Sequence, residues 1–354
     1  MSDRVRLFIG RYTEGDTSPQ PAPGITVAEF DPERLTIEPL GGAQLPEASF
    51  LALNPSGGVL YAVQEDETDG RAAAFSIDAG TSALTFLGKQ PTHGGLPCHL
   101  LVEPGGSHLL TANYAAGSVA VHPIRPDGAL GPSSDVSQHV GSGPRRDRQA
   151  GPHAHMTAAA PGGEVLLAVD LGTDSIYAYT LDGLSGRLTL ITQNRLRPGS
   201  GPRHLVFHPS GEYFYLANEL GNSVSVCAYD PGTAAVKELA ELPAVGEGGA
   251  GQNAPAGIVL SADARFAYLS NRGDDSITVF EVCDGGARLR PVGRHPCGGS
   301  RPRHIVFSPD GRFLFVANQQ SNDIAVLRLD PESGALSPTG LSYPVKQVAH
   351  VIFG

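Results

Sequence analysis

A chain of 354 residues with 45 glycines, 29 prolines and 40% hydrophobic residues exceeds one ordinary hydrophobic core and is dense in turn residues, which points to an all-β architecture built by repetition. A formal net charge of −11 argues against nucleic acid or an anionic membrane as partner, since both are bound through an excess of Lys and Arg. The start MSDRVRLFIG has no basic segment followed by an apolar run, and Cys98, Cys227, Cys283 and Cys297 are scattered without a C-x-x-C pair, so a cytosolic protein with reduced thiols is expected.

In chain order, RLFIGRYT reads as a strand ending near Gly10, and GITVAEFD as the strand after it. Phe50-Leu-Ala-Leu opens a pattern that returns at His99, His155, His204, Gly257 and His304, with starts 47 to 56 residues apart. That period in a β-rich, turn-punctuated sequence belongs to a propeller. Each start is followed by a Pro/Gly or similar turn and by a second apolar run ending on Gln64, Asn113, Asp170, Asn218, Asn271 or Asn318. The interval is 14 residues in five copies and 15 in the copy that begins at His155. Alternating segments such as SVSVCAY and SITVFEV follow, then more polar ones such as LTLITQN, giving four strands per repeat. The chain ends with His350-Val-Ile-Phe, a first strand without its second, and the N-terminal strand supplies the missing partner. The expectation is a single domain over 1–354: an all-β, seven-bladed β-propeller of four-stranded blades, one blade closed by pairing of the two termini.

Neighbouring antiparallel strands bring the start of the first strand and the end of the second to one rim, so the repeat ends converge on one mouth of the channel. Arg11, His99, Tyr114, Arg148, His204, Arg303, His304 and Gln319 are the substrate-contacting candidates there. Recurrent His at the first-strand start also fits a blade-to-blade hydrogen-bonding device. Departures from the repeat are the sharper signal: Glu219 follows Asn218, Arg272 follows Asn271, and Arg203 precedes His204 where another copy has Cys98. PHAH puts His153 and His155 at i and i+2, one of them a candidate general base because an imidazole titrates near neutrality. No third ligand is fixed by spacing, so neither a metal nor another cofactor is expected. GSGPRRDRQAG, with Arg145, Arg146 and Arg148, reads as a basic lip beside the same mouth. There is no G-x-S-x-G elbow, P-loop or dinucleotide fingerprint, and with no Trp there is no W-D signature.

GRYTEG, SFLALNPSGGVLYAVQE, GPRHLVFHPSGEYFYLANELGNSVSV, GIVLSADARFAYLSNRGDDSITVF and PRHIVFSPDGRFLFVANQQSNDIAV resemble the bacterial lactonase family of seven-bladed propellers, which includes propeller-type 6-phosphogluconolactonases and is similar to the fungal carboxy-muconate cyclase. The resemblance implies that a His of PHAH (His153 or His155), Arg203, Glu219 and Arg272 form the active site, and that the substrate is a small, anionic lactone. It further implies water activated by His, with Glu219 orienting that His or the water, and an oxyanion held by Arg203 and Arg272. A monomer or weak homodimer is expected. A lactone-forming cyclase and a non-catalytic binding propeller are the rival readings.

Overall fold

The computed structural model describes residues 4–16, 22–249 and 251–354. Near-continuous apolar runs such as Phe313–Asn318 and Phe266–Arg272 are buried along their whole length, as strands covered on both faces must be. Outer strands such as Thr36–Ala43 and Arg288–Pro296 are mostly exposed. Together they form seven four-stranded antiparallel sheets. The first blade joins the two ends of the chain: Val348–Phe353 pairs with Val5–Arg11, which pairs with Ile25–Asp31 and then Thr36–Ala43.

The innermost strands run Val348–Phe353, Leu51–Leu53, Pro97–Val102, Ala154–Ala159, Pro202–Phe207, Ala254–Leu260 and Pro302–Phe307 from the first blade to the seventh. Each touches the next, and the last touches the first, so the ring is closed. The core is correspondingly divided into seven apolar clusters, one between each pair of neighbouring blades. At the seam between the seventh and first blades, Phe30 meets Phe313 and Phe315 edge-on at 5.5 and 4.9 Å. No helix among the described residues is long and apolar enough to cross a membrane.

A recurrent β-bulge decides what faces the channel. In the inner strands the pairing register skips one residue between Pro97 and His99, Ala154 and Met156, Pro202 and His204, Pro302 and His304, and Val348 and His350. The skipped residues are Cys98, His155, Arg203, Arg303 and Ala349. A bulge sets two residues against one and re-aims the extra side chain. All but His155 line the narrow neck of the channel with Ser49, Phe50, His204, His304 and His350.

Two sequence expectations shift by one residue for this reason. His155 is not the counterpart of His99, His204 and His304: Ala154 pairs with Asp170 as Pro202 pairs with Asn218, so His155 occupies the place of Arg203 and Met156 that of His204. The interval from Met156 to Asp170 is then 14 residues, as in the other copies. Likewise the N-terminal strand ends at Arg11, which pairs with Val348, so Tyr12 takes the position of Glu219.

Candidate active site

The registers stack the mouth in tiers. The upper tier follows the second strand of each blade and includes Tyr12, Glu65, Tyr114, Glu219, Arg272 and Gln319; the bulge residues lie below it, and the imidazoles of His99, His204, His304 and His350 below those. Arg11, expected at this mouth, is not there. It is buried between the first and seventh blades, where its guanidinium donates to Asp16 at 2.8 Å and to the carbonyls of Ala22 and Pro23, away from the mouth.

Glu219 is the centre of one network. Its carboxylate accepts from Arg272 Nη2 at 2.5 Å and Arg148 Nη2 at 2.7 Å, and lies 3.2 Å from Arg203 Nε. Burial alone would raise this carboxyl, yet Arg272 and Arg203 with the Arg148 hydrogen bond hold it well below the usual range, so it is ionised. Among the described residues no His is hydrogen-bonded to Glu219, whose carboxylate is met by three guanidinium groups. Arg203 is buried, and both its Nε and Nη1 lack a hydrogen-bond acceptor, the contact to Glu219 being off the hydrogen-bond line. Burial, with the charges of Arg272 and Arg303, pushes its guanidinium pKa down. A cation in that position is stabilised by any negative charge that arrives at the mouth.

Arg148 shows that the basic insertion does reach the mouth: the same Nη2 donates to Tyr114 Oη at 3.1 Å. Tyr114 in turn stacks on His153, centroids 4.5 Å apart, and meets His155 edge-on at 5.7 Å. His153 is half-buried, and its Nδ1–H donates to the Tyr114 carbonyl at 2.8 Å, which leaves Nε2 with the lone pair. His155 is buried with Nδ1 unpartnered, and burial together with Arg203 keeps it neutral.

A second network fills the other side of the mouth. Arg303 Nη2 donates to Tyr12 Oη at 2.6 Å, Tyr12 Oη donates to Glu65 Oε2 at 2.8 Å, and Ser49 Oγ donates to the same carboxylate oxygen. Burial raises the Tyr12 phenol, so it is a neutral donor. Gln319 Oε1 is buried without a partner.

His99, His204 and His304, expected to contact substrate, belong instead to the plug beneath. His99 Nδ1 accepts the Thr157 N–H at 3.3 Å, His350 Nδ1 that of Leu51 at 3.3 Å and His304 Nδ1 that of Val351 at 3.5 Å, each from the next blade; Met156 Sδ does the same for Leu205. Phe50 closes the plug, 4.1 Å from the His99 ring and 3.8 Å from that of His350. Burial lowers His99 and His304 to about 3, and His204 and His350 well below their ordinary value.

The family model described as "Lactonase, 7-bladed beta-propeller" matches residues 6–353. The chain belongs to this lactonase family. It is 36% identical over 276 residues to a 6-phosphogluconolactonase of Bacillus subtilis, covering 78% of this chain and 77% of that one. A 6-phosphogluconolactonase of Formosa agariphila is 33% identical over 293 residues, covering 80% and 81%. Among solved structures, a periplasmic gluconolactonase of Pseudomonas aeruginosa superposes with a TM-score of 0.91 at 33% identity over 99% of both chains. The protein is a lactonase: an ester hydrolase acting on a small lactone.

Sequence reading of this lactonase missed Tyr12 and Ser49 of the second network, and Arg301, which lines a cleft beside the mouth. Tyr12 lies one letter past Arg11, the residue chosen for the mouth. Arg301 was legible in principle, because SRPRH differs from SGPRH at that one letter. Among the described residues no group of three or more His, Cys, Asp or Glu could hold a metal ion.

Proposed function

We propose that this lactonase hydrolyses 6-phosphoglucono-1,5-lactone in the cytosol, with His153 as general base and Arg203 and Arg272 holding the oxyanion. The observation that carries the reading is Arg203: a buried guanidinium with two donor atoms lacking acceptors, 3.2 Å from the Glu219 carboxylate at the mouth. In the ground state that oxygen is neutral; as water adds to the carbonyl carbon it becomes an oxyanion, and the contact strengthens where the barrier is highest. His153 Nε2 takes the proton from the attacking water, its ring held by the Tyr114 stack and carbonyl. The ring C–O bond then breaks, the departing alkoxide takes back a proton from the imidazolium, and the free hydroxy acid leaves. Glu219 fixes Arg148, Arg203 and Arg272 and acts as a positioning residue.

Proton release at constant pH tests this, with 6-phosphoglucono-1,5-lactone, glucono-1,5-lactone and a muconolactone each compared with its spontaneous rate, with and without chelator. Rapid chelator-resistant release from the phosphorylated lactone is expected. Release confined to the muconolactone would replace this substrate with one of the cyclase type.

A further inference from the structure

Beside the mouth lies a cleft whose charged lining is Arg145, Arg148, Arg272 and Arg301 against Glu219 and Asp275. Four cations against two anions, on a protein of net charge −11, make a local field opposite to that of the whole molecule. Arg148 and Arg272 are both hydrogen-bonded to Glu219, which neutralises part of their charge. Arg145 and Arg301 are not so compensated. Arg145 Nη1 donates to the Leu220 carbonyl at 3.2 Å, a neutral acceptor, and its nearest carboxylate is that of exposed Asp147 at 4.0 Å. The Arg301 guanidinium has no hydrogen bond or ion pair among the described residues, although Asp275 is adjacent. That carboxylate is spent on the backbone: Oδ1 accepts the Arg301 N–H at 2.7 Å and Oδ2 the Ser300 hydroxyl at 2.8 Å.

The Arg301 backbone sharpens the point. It sits at φ +61°, where the equivalent residue of the fifth blade is Gly201 at φ +56°. Left-handed backbone favours glycine, and a long cation here has no structural contact to justify it. Burial, then the charge of Arg303 and last that of Arg301 push the Arg272 pKa down, so Arg301 adds like-charge repulsion to the cleft that a bound anion relieves.

We infer that Arg301 and Arg145 are the recognition site for a phosphate monoester on the lactone, setting the preference for phosphorylated over plain sugar lactones. This rests on the phosphorylated-lactone reading above. The planar guanidinium fork suits phosphate oxygens, and the cleft shares Arg148, Glu219 and Arg272 with the mouth, so one substrate can span both.

The test compares kcat/KM for 6-phosphoglucono-1,5-lactone and glucono-1,5-lactone in the wild type, Arg301→Gly and Arg145→Gln. Glycine accepts the positive φ, so Arg301→Gly removes the charge without adding strain. Each variant is expected to lose about 10- to 100-fold more kcat/KM on the phosphorylated lactone than on the plain one, and to weaken inorganic phosphate binding by a similar factor in calorimetry. Equal losses on both lactones, or an unchanged preference, overturn the inference. The calorimetric arm separates it from the substrate reading. A wild type that turns over only unphosphorylated lactones sinks that reading, and the anion site then stands only if inorganic phosphate binds the wild type about 10-fold or more tighter than the variants.

Discussion

Glu219 and Arg203 are neighbours at 3.2 Å, yet the two side chains do different work, and substitution separates them. Arg203 is a cation with unmet donors, so Arg203→Ala removes an interaction made most strongly with the oxyanion. The expected loss is about 10²- to 10³-fold in kcat, with a thermal midpoint no lower than that of the wild type, because repulsion from Arg272 and Arg303 goes with it. Glu219→Gln instead leaves three guanidinium groups around a neutral amide. Breaking a buried ion pair by removing one partner costs about 3–5 kcal/mol, so this variant falls in both turnover and urea midpoint. Steady-state kinetics beside urea unfolding of the two variants checks the contrast; if Arg203→Ala unfolded earlier and Glu219→Gln did not, the assignment of roles would be reversed. These residues were legible in the sequence because each breaks the repeat. Their partners were less so: that Glu219 would spend itself on three arginines, one from the insertion 141–151, depends on a loop path that no periodicity encodes.

At the scale of the inner strands, one bulge repeated around the ring decides which side chain enters the channel. Apolar alternation locates a strand but does not reveal an extra residue within it, which is why His155 and Arg11 were each misplaced by one position while the strands themselves were found. The only trace was the single interval of 15 in place of 14. At and below the bulges, His155 and then His99, His204, His304 and His350 are held neutral by burial and face Arg203, Arg303 or one another. The unfolded chain protonates these imidazoles near pH 6.5 and the folded protein does so only far lower, so acid favours unfolding. Stability is complete above about pH 6.5 and declines as pH falls from there toward about 3, by about 1.4 kcal/mol per unit for each imidazole. Two of the five behaving this way remove about 3 kcal/mol per unit. Urea midpoints measured from pH 7.5 to 5.5 should therefore drop steeply, and a flat profile would mean that the plug takes up protons while folded.

For the whole molecule, the sequence made ring closure legible through a count: a seventh first strand at the C-terminus and a second strand without its partner at the N-terminus. The pairing of Leu7 with Phe353, Phe8 with Ile352 and Ile9 with Val351 is that closure. Its weight follows from what it covers. Val348, His350 and Val351 are all buried, and Val348 and Val351 share one apolar cluster with Leu7, Phe30, Phe313 and Phe315. Deleting residues 345–354 uncovers that cluster, opens the hydrogen-bonding edge of Val5–Arg11 and takes His350 from between His304 and Phe50. A domain is stable by only about 5–15 kcal/mol, and three buried side chains with a paired strand account for much of that. The truncated chain should lose its cooperative melt and aggregate through the open edge. Because the strand is held by pairing and packing, a synthetic peptide of residues 345–354 added in excess should restore a cooperative transition whose midpoint rises with peptide concentration. A truncated chain that melts like the full-length protein would show that the terminal pairing is dispensable to the ring.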